Sequence, residues 1–209
     1  PENEKVSSRW MKITTTLTKY EAPVLLQYHD FGRCRKILDV GGNSGECVLR
    51  ICREYPEIQA TVFDLPLVCD IGLDHIKDEP EAKRIDFVKG NALQDEFPGT
   101  FDLIIFKSML HDWPDEEAMN LLTKAHQALV DGGELLIFER GSIKAGGAGL
   151  HYAIIPMLLF FHSFRSSTIY ENHLQALGFE EINTTHIELE MPFHLISARK
   201  SSKSAPRRL

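Results

Sequence analysis

Apolar positions along this chain alternate between short continuous runs and stripes at helical spacing, and that alternation predicts most of its elements. Residues 36–40, KILDV, form a short apolar run closed by the turn Gly41, Gly42, Asn43, Ser44, Gly45. Cys47, Val48, Ile51, Cys52 and Tyr55 then recur at helical spacing until Pro56, so strand, glycine turn and helix follow one another. A second run at 60–63 ends in Asp64, Leu65 and Pro66, and a helix is predicted through Val68, Ile71 and Ile76. Runs at 85–88 and 101–106 predict a third and a fourth strand. Pro114 suits a helix's first turn and Asp115, Glu116 and Glu117 its positive end, while Ala118, Leu121, Leu122, Ala125 and Leu129 mark the buried face as far as Gly132 and Gly133. A fifth strand is predicted at 134–139.

Strands alternating with helices predict an α/β fold with a mostly parallel, doubly wound sheet covered on both faces. Past residue 149 the order changes. An apolar stretch reaches Phe164, a helix is predicted at 168–177 and stopped by Gly178, and strands at 179–188 and 193–199 are expected to form an antiparallel pair at one sheet edge. Residues 1–30, with Trp10, Met11, Ile13 and Leu17, read as helical but hold too little apolar sequence for a core of their own. The expected organisation is a helical linker remnant over 1–30, one domain over 31–199, and a polar, basic, disordered tail over 200–209. With Pro1 first and no signal-peptide pattern, the chain reads as a fragment or processed product.

At 209 residues one core is expected rather than two. Thirty acidic against 23 basic residues leave a formal charge of −7, which argues against nucleic acid as a partner. The longest apolar run, 153–161, is half the roughly 18 residues that a bilayer requires and contains Pro156, so no membrane role is expected. Cys34, Cys47, Cys52 and Cys69 include no CxxC pair and no histidine at zinc-finger spacing, so reduced thiols in a cytoplasmic protein are expected, without metal.

Two features carry chemistry. Glycines after a first strand let the backbone approach a ligand closely, and the next helix start offers N–H groups. The pattern Asp39-x-Gly41-Gly42-x-x-Gly45 departs from GxGxxG and is weak alone. Asp64, at the end of the second strand, strengthens it, because an acid there can accept both hydroxyls of a ribose. The other feature is FKSMLHDWPDEE, 106–117, where His111, Asp112 and Trp113 sit just past the fourth strand.

Taken in order, LDVGGNSG, VFDLP, FKSMLHDWPDEE and LLIFER resemble the S-adenosylmethionine-dependent O-methyltransferases of the caffeic acid and hydroxyindole type, over about residues 30–199. The resemblance implies a Rossmann-like class I methyltransferase domain and, in the full protein, a preceding helical domain through which it forms a homodimer. It also implies that Gly41 lies against the cofactor, Asp64 holds its ribose, Asn91 and Ala92 flank the adenine, and Lys107 approaches the cofactor from the end of strand four. Asn91 stands where that family usually has aspartate, and Ala92 where it has a larger apolar residue. Phe164 falls where a second glutamate beside the base would be.

Within this resemblance His111 is the candidate general base and Glu139, ending strand five, the carboxylate that orients it. A phenol of pKa near 10 is ionised about once in a thousand molecules at pH 7, so a positioned imidazole could contribute at most about 4 kcal/mol. The expected activity is metal-independent methyl transfer to a phenol or enol of a small aromatic molecule. Transfer to nitrogen or carbon, or cofactor binding without turnover, stays open at this point. Met157, Phe160 and Phe161, with Trp10 or Met11 opposite, are candidates for the pocket wall.

Overall fold

The computed structural model describes residues 4–142 and 163–202. The chain opens with α1 (Glu4–Tyr28) and then alternates through β1 (Lys36–Val40), α2 (Glu46–Glu54), β2 (Gln59–Asp64), α3 (Pro66–Ile76), β3 (Ile85–Lys89), β4 (Phe101–Lys107), α4 (Asp115–Ala128) and β5 (Leu129–Arg140). After residues 143–162 come α5 (Ser167–Ala176), β6 (Phe179–Glu188) and β7 (Pro192–Lys200). Lys200 closes the last strand, donating to Leu129 O at 2.7 Å; residues 203–209 of the expected tail lie outside the described residues.

The strands form one sheet in the order β3-β2-β1-β4-β5-β7-β6. β1 pairs in parallel with β2 and β4, β2 with β3, and β4 with β5. The central strands are apolar on both faces because both faces are covered. Ile37, Leu103, Ile105, Leu136 and Phe138 pack on one side beneath α1 and α2 residues such as Leu25 and Val48. Leu38, Val40, Ile104, Phe106, Leu135 and Ile137 pack on the other against Leu121 and Leu122 of α4 and Tyr170 and Leu174 of α5.

One boundary differs from the sequence expectation. Helix α4 stops at Ala128, before the glycines, because Leu129 is already paired with Phe101 across the sheet. The irregularity that follows is absorbed at Gly132, whose φ of +76° is costly for other residues. The antiparallel pair closes one edge of the sheet as expected, with β7 lying between β5 and β6 and β6 outermost.

The chain moves outward from β1 to β3 and returns to place β4 on β1's other side. Strand order therefore reverses between β1 and β4, and in an open α/β sheet the crevice beyond the carboxyl ends at such a point is where ligands bind. The glycine turn, Asp64, Lys107, His111 and Glu139 are all at or just beyond strand carboxyl ends on this side.

Candidate active site

The first wall of the crevice is the glycine turn. Gly41 has φ +68° and Gly45 φ +75°, and between them Asn43 is also left-handed at φ +56°. The Gly41 amide donates to Phe63 O at 2.9 Å, tying the turn to β2. A Cβ on Gly41 would meet Met109 Cγ at 2.7 Å and one on Gly42 would meet the Asp39 carboxylate at 2.7 Å, so no side chain fits at either position without displacement. Asp64 is held from both sides: Oδ2 accepts from the Asn43 amide at 2.9 Å and Oδ1 from the Leu65 amide at 2.7 Å. Burial pushes this carboxyl above its ordinary range while the two amides pull it down. Each oxygen keeps a further lone pair with which to accept.

The second wall is the loop from β4 to α4. Ser108 turns the chain with φ +50°, and a 3₁₀ turn, Leu110–Asp112, follows. Glu139, wholly buried near the end of β5, organises this loop. Its Oε1 accepts from the Met109 and Leu110 amides at 2.6 and 2.7 Å, and its Oε2 lies 2.7 Å from His111 Nδ1. Burial alone would raise the carboxyl, but the imidazole and the two amides hold it below its usual value. Burial alone would lower His111; the charge and hydrogen bond of Glu139 more than offset it, so the imidazole is raised. Both shifts favour the ion pair. His111 Nε2 lies 3.6 Å from Asp112 Oδ1. The Phe164 ring packs tilted on the imidazole with centroids 5.3 Å apart.

The remaining predicted residues sit in more committed surroundings. Lys107 is buried with Nζ 2.5 Å from Glu21 Oε2 of α1, and it donates to Thr18 Oγ1 at 3.1 Å. Asn91 Oδ1, the expected adenine acceptor, already accepts from the Leu93 amide at 3.0 Å. Ala92 packs half-buried against the apolar cluster that also touches Trp113, and its carbonyl accepts from Lys124 Nζ at 2.6 Å. Among the pocket-wall candidates, Met11 is buried and Trp10 is 48% exposed; Met157, Phe160 and Phe161 lie outside the described residues.

Sequence reasoning missed Glu21, Arg140 and Arg165. Glu21 ties α1 to the ends of two neighbouring strands, to β4 through Lys107 and to β5 through Arg140, each at 2.5 Å. Arg140 also donates to Glu190 at 2.8 Å and to Ser108 Oγ at 3.1 Å. Glu21 and Arg140 are 119 residues apart in sequence, and no local pattern links them.

The buried side-chain polar atoms without a hydrogen bond include Asp39 Oδ2, Asn43 Oδ1 and Trp113 Nε1. All three belong to the elements that border the crevice: the end of β1, the glycine turn and the loop after β4. Buried polar groups are rarely left unmatched, so such a cluster points to a polar ligand. Asp39 is the extreme case: burial pushes its carboxyl up to about 7, with Lys107 opposing and Asp64 reinforcing. Together with the close-approach glycines and the free acceptor capacity of Asp64, these atoms fit a polar, ribose-bearing molecule. No cluster of three or more histidine, cysteine or carboxylate side chains able to hold a metal occurs among the described residues. Nor is any described helix long and apolar enough to cross a membrane.

Known proteins resemble this chain in sequence and in fold. The family model described as an O-methyltransferase domain matches residues 1–180. A probable bifunctional dTTP/UTP pyrophosphatase/methyltransferase protein of Homo sapiens is 28% identical over 182 residues, covering 86% of this chain and 29% of the relative. The 3-hydroxy-5-methyl-1-naphthoate 3-O-methyltransferase of Streptomyces sahachiroi is 33% identical over 140 residues, 66% of this chain and 40% of that protein. The chain thus spans less than half the length of these relatives. The crystal structure of human N-acetylserotonin methyltransferase in complex with SAM superposes with a TM-score of 0.80 at 24% identity, covering 96% of this chain and 57% of that one, and so shares the fold.

Proposed function

Because the chain belongs to the O-methyltransferase domain family, we propose that it is the catalytic part of an enzyme that moves a methyl group from S-adenosylmethionine to the hydroxyl of a small, aromatic molecule, without a metal. The observation that carries this reading is the pairing of His111 Nδ1 with Glu139 Oε2 at 2.7 Å beside the crevice. Such a pair presents an oriented base at the crevice.

Asp64 would hold the ribose hydroxyls, Gly41 would allow close approach, and Asn91 and Ala92 would flank the adenine. When bound, the cofactor supplies an already activated methyl group on a sulfonium. The chain must then align a nucleophile and remove its proton. With Nδ1 committed to Glu139, proton uptake falls to Nε2, and Glu139 stabilises the imidazolium that results. Burial of the pair strengthens their interaction relative to water. Lys107, engaged by Glu21, is assigned the task of holding α1 against the strand ends rather than contacting the cofactor.

α1 exposes Val6, Trp10, Ile13 and Tyr20 along one side. That apolar stripe supports the reading that, in the full protein, a further helical domain covers α1, completes the acceptor pocket and forms the homodimer. A cytoplasmic location is proposed from the four free, buried cysteines.

The test is release of S-adenosylhomocysteine with a panel of phenols, for wild type and His111→Ala. The variant is expected to lose about 10²–10⁴ in kcat with little change in cofactor affinity, and to recover partly as pH rises toward the phenol's own pKa. Wild-type turnover by the variant at neutral pH would remove His111 from the mechanism.

A further inference from the structure

The His111 loop is held by more than Glu139. Arg165, just before α5, is 6% exposed and directs its guanidinium to this loop and the helix that follows, with a further hydrogen bond to Tyr170 of α5. NH1 donates to Leu110 O at 3.0 Å, NH2 to Trp113 O at 2.5 Å, and Nε to Asp115 Oδ1 at 2.6 Å. The two carbonyls bracket His111 in sequence, and Asp115 opens α4. Its neighbour Phe164 packs on the imidazole itself. Arg165 is in turn fixed from behind, its carbonyl lying 3.3 Å from His194 Nε2 of β7.

We infer that Arg165 is a positioning residue for the imidazole: its planar fork clamps the backbone on both sides of His111 and so sets the ring against Glu139. The inference rests on the reading of His111 as base, but its structural content stands apart from turnover. A lysine could not reproduce it, because one ammonium cannot present donors in the fixed fork that meets three acceptors on two segments. Glu139 supplies the other half of the seat, holding the Met109 and Leu110 amides. Between them the two residues hold both backbone amides and carbonyls of the turn carrying the base.

The charge effects give this inference a sign. Among the described residues, Glu139 and Asp112 raise the pKa of the His111 ring and Arg140 lowers it. Removing the Arg165 cation would by charge alone leave protonation of His111 unchanged or make it easier, never harder. Loosening the turn would lengthen the bond to Glu139 and lower the pKa toward the ordinary 6.5. Clamp and mere nearby charge therefore predict different outcomes.

The experiment follows the His111 ring by nitrogen NMR of the histidine-labelled chain, its resonance assigned by loss in His111→Gln, across a pH titration of wild type, Arg165→Met and Arg165→Lys. Turnover is measured on the same samples with S-adenosylmethionine and a phenolic acceptor. Arg165→Met is expected to lower the His111 midpoint by roughly half a unit or more and to cut kcat about 10- to 100-fold, as misplacement of a reacting group by about 1 Å does. KM for the cofactor should hold. Arg165→Lys should shift the midpoint less, in the same direction, and it is read alone if thermal melting shows the methionine variant unfolded. A midpoint that rises or stays put overturns the inference. A lowered midpoint with unchanged turnover supports the clamp and instead refutes His111 as the base.

Discussion

Replacing Glu139 by glutamine exchanges one oxygen for an NH₂ at constant shape, and the geometry dictates which oxygen is lost. Two backbone amides, of Met109 and Leu110, need the acceptor at Oε1. Were the amide to turn its oxygen toward His111 instead, both N–H groups would face a donor, at about 1–3 kcal/mol each. Keeping the oxygen on the amides and pointing the NH₂ at Nδ1 avoids this, and then Nδ1 must accept. The imidazole proton moves to Nε2, and the nitrogen assigned to take the acceptor's proton arrives already protonated. The expected loss follows from the acceptor's acidity. A phenol of pKa near 10 is about 10⁻³ ionised at pH 7, so the loss reaches at most about 10³-fold there and shrinks about tenfold per pH unit above it. That falls within the range expected for His111→Ala, whereas residue types alone suggest a milder effect, since the base remains. The assay is a pH–rate profile of both variants with one phenol, with the tautomer read by histidine nitrogen NMR. Glu139→Gln turnover above a tenth of wild type at pH 7, or a ratio that does not change with pH, would refute the reasoning.

Other outcomes follow from the same geometry. In the wild type the acid limb of the rate profile should fall above pH 6.5, since Glu139 raises the imidazole despite its burial; a limb below that value would mean that another group titrates. Asp64→Ala should weaken S-adenosylmethionine binding by roughly 1.5–3 kcal/mol through loss of charge-assisted hydrogen bonds, and calorimetry showing unchanged affinity would take Asp64 out of the site. Asp39 has a folded pKa of about 7 against an ordinary 3.8, so the folded state binds the proton more tightly and stability drains away as pH rises from about 4 to 7. Asp39→Asn should therefore gain up to about 4 kcal/mol at pH 8 and nothing at pH 4; equal denaturation midpoints for the two proteins at pH 8 would contradict the burial argument. Turnover should survive EDTA, and abolition that magnesium reverses would rule out a mechanism resting on His111 alone.

What could be read along the chain was whatever depends on neighbours in sequence. The strand at 36–40 is found at those residues because an apolar run between turn residues has one low-energy fate in a covered sheet. The glycine turn, Asp64, His111 and Glu139 were legible for a related reason: each sits at the carboxyl end of a strand, and in a parallel sheet all such ends share one side. Residue type and strand register were enough to bring them near one crevice. Sequence could not decide what each side chain does there. Lys107 sits at a strand end as expected, yet a glutamate 86 positions earlier claims its charge at 2.5 Å. Asn91 follows β3 but turns its oxygen to its own backbone. The early start of β5 and the seat of β7 beside it depend on pairing partners that are remote in sequence. Arg165 is the sharpest case. The resemblance aligns its stretch, HSFRSST, with an Arg-Thr pair before the late helix but gives it no role, and its importance arises only when folding brings Leu110 and Trp113, 55 and 52 residues away, within reach of one guanidinium. Local patterns select elements because they are local free-energy choices; a side chain's partner is chosen by the closed structure, where burial makes an unmatched charge or carbonyl too costly to leave alone.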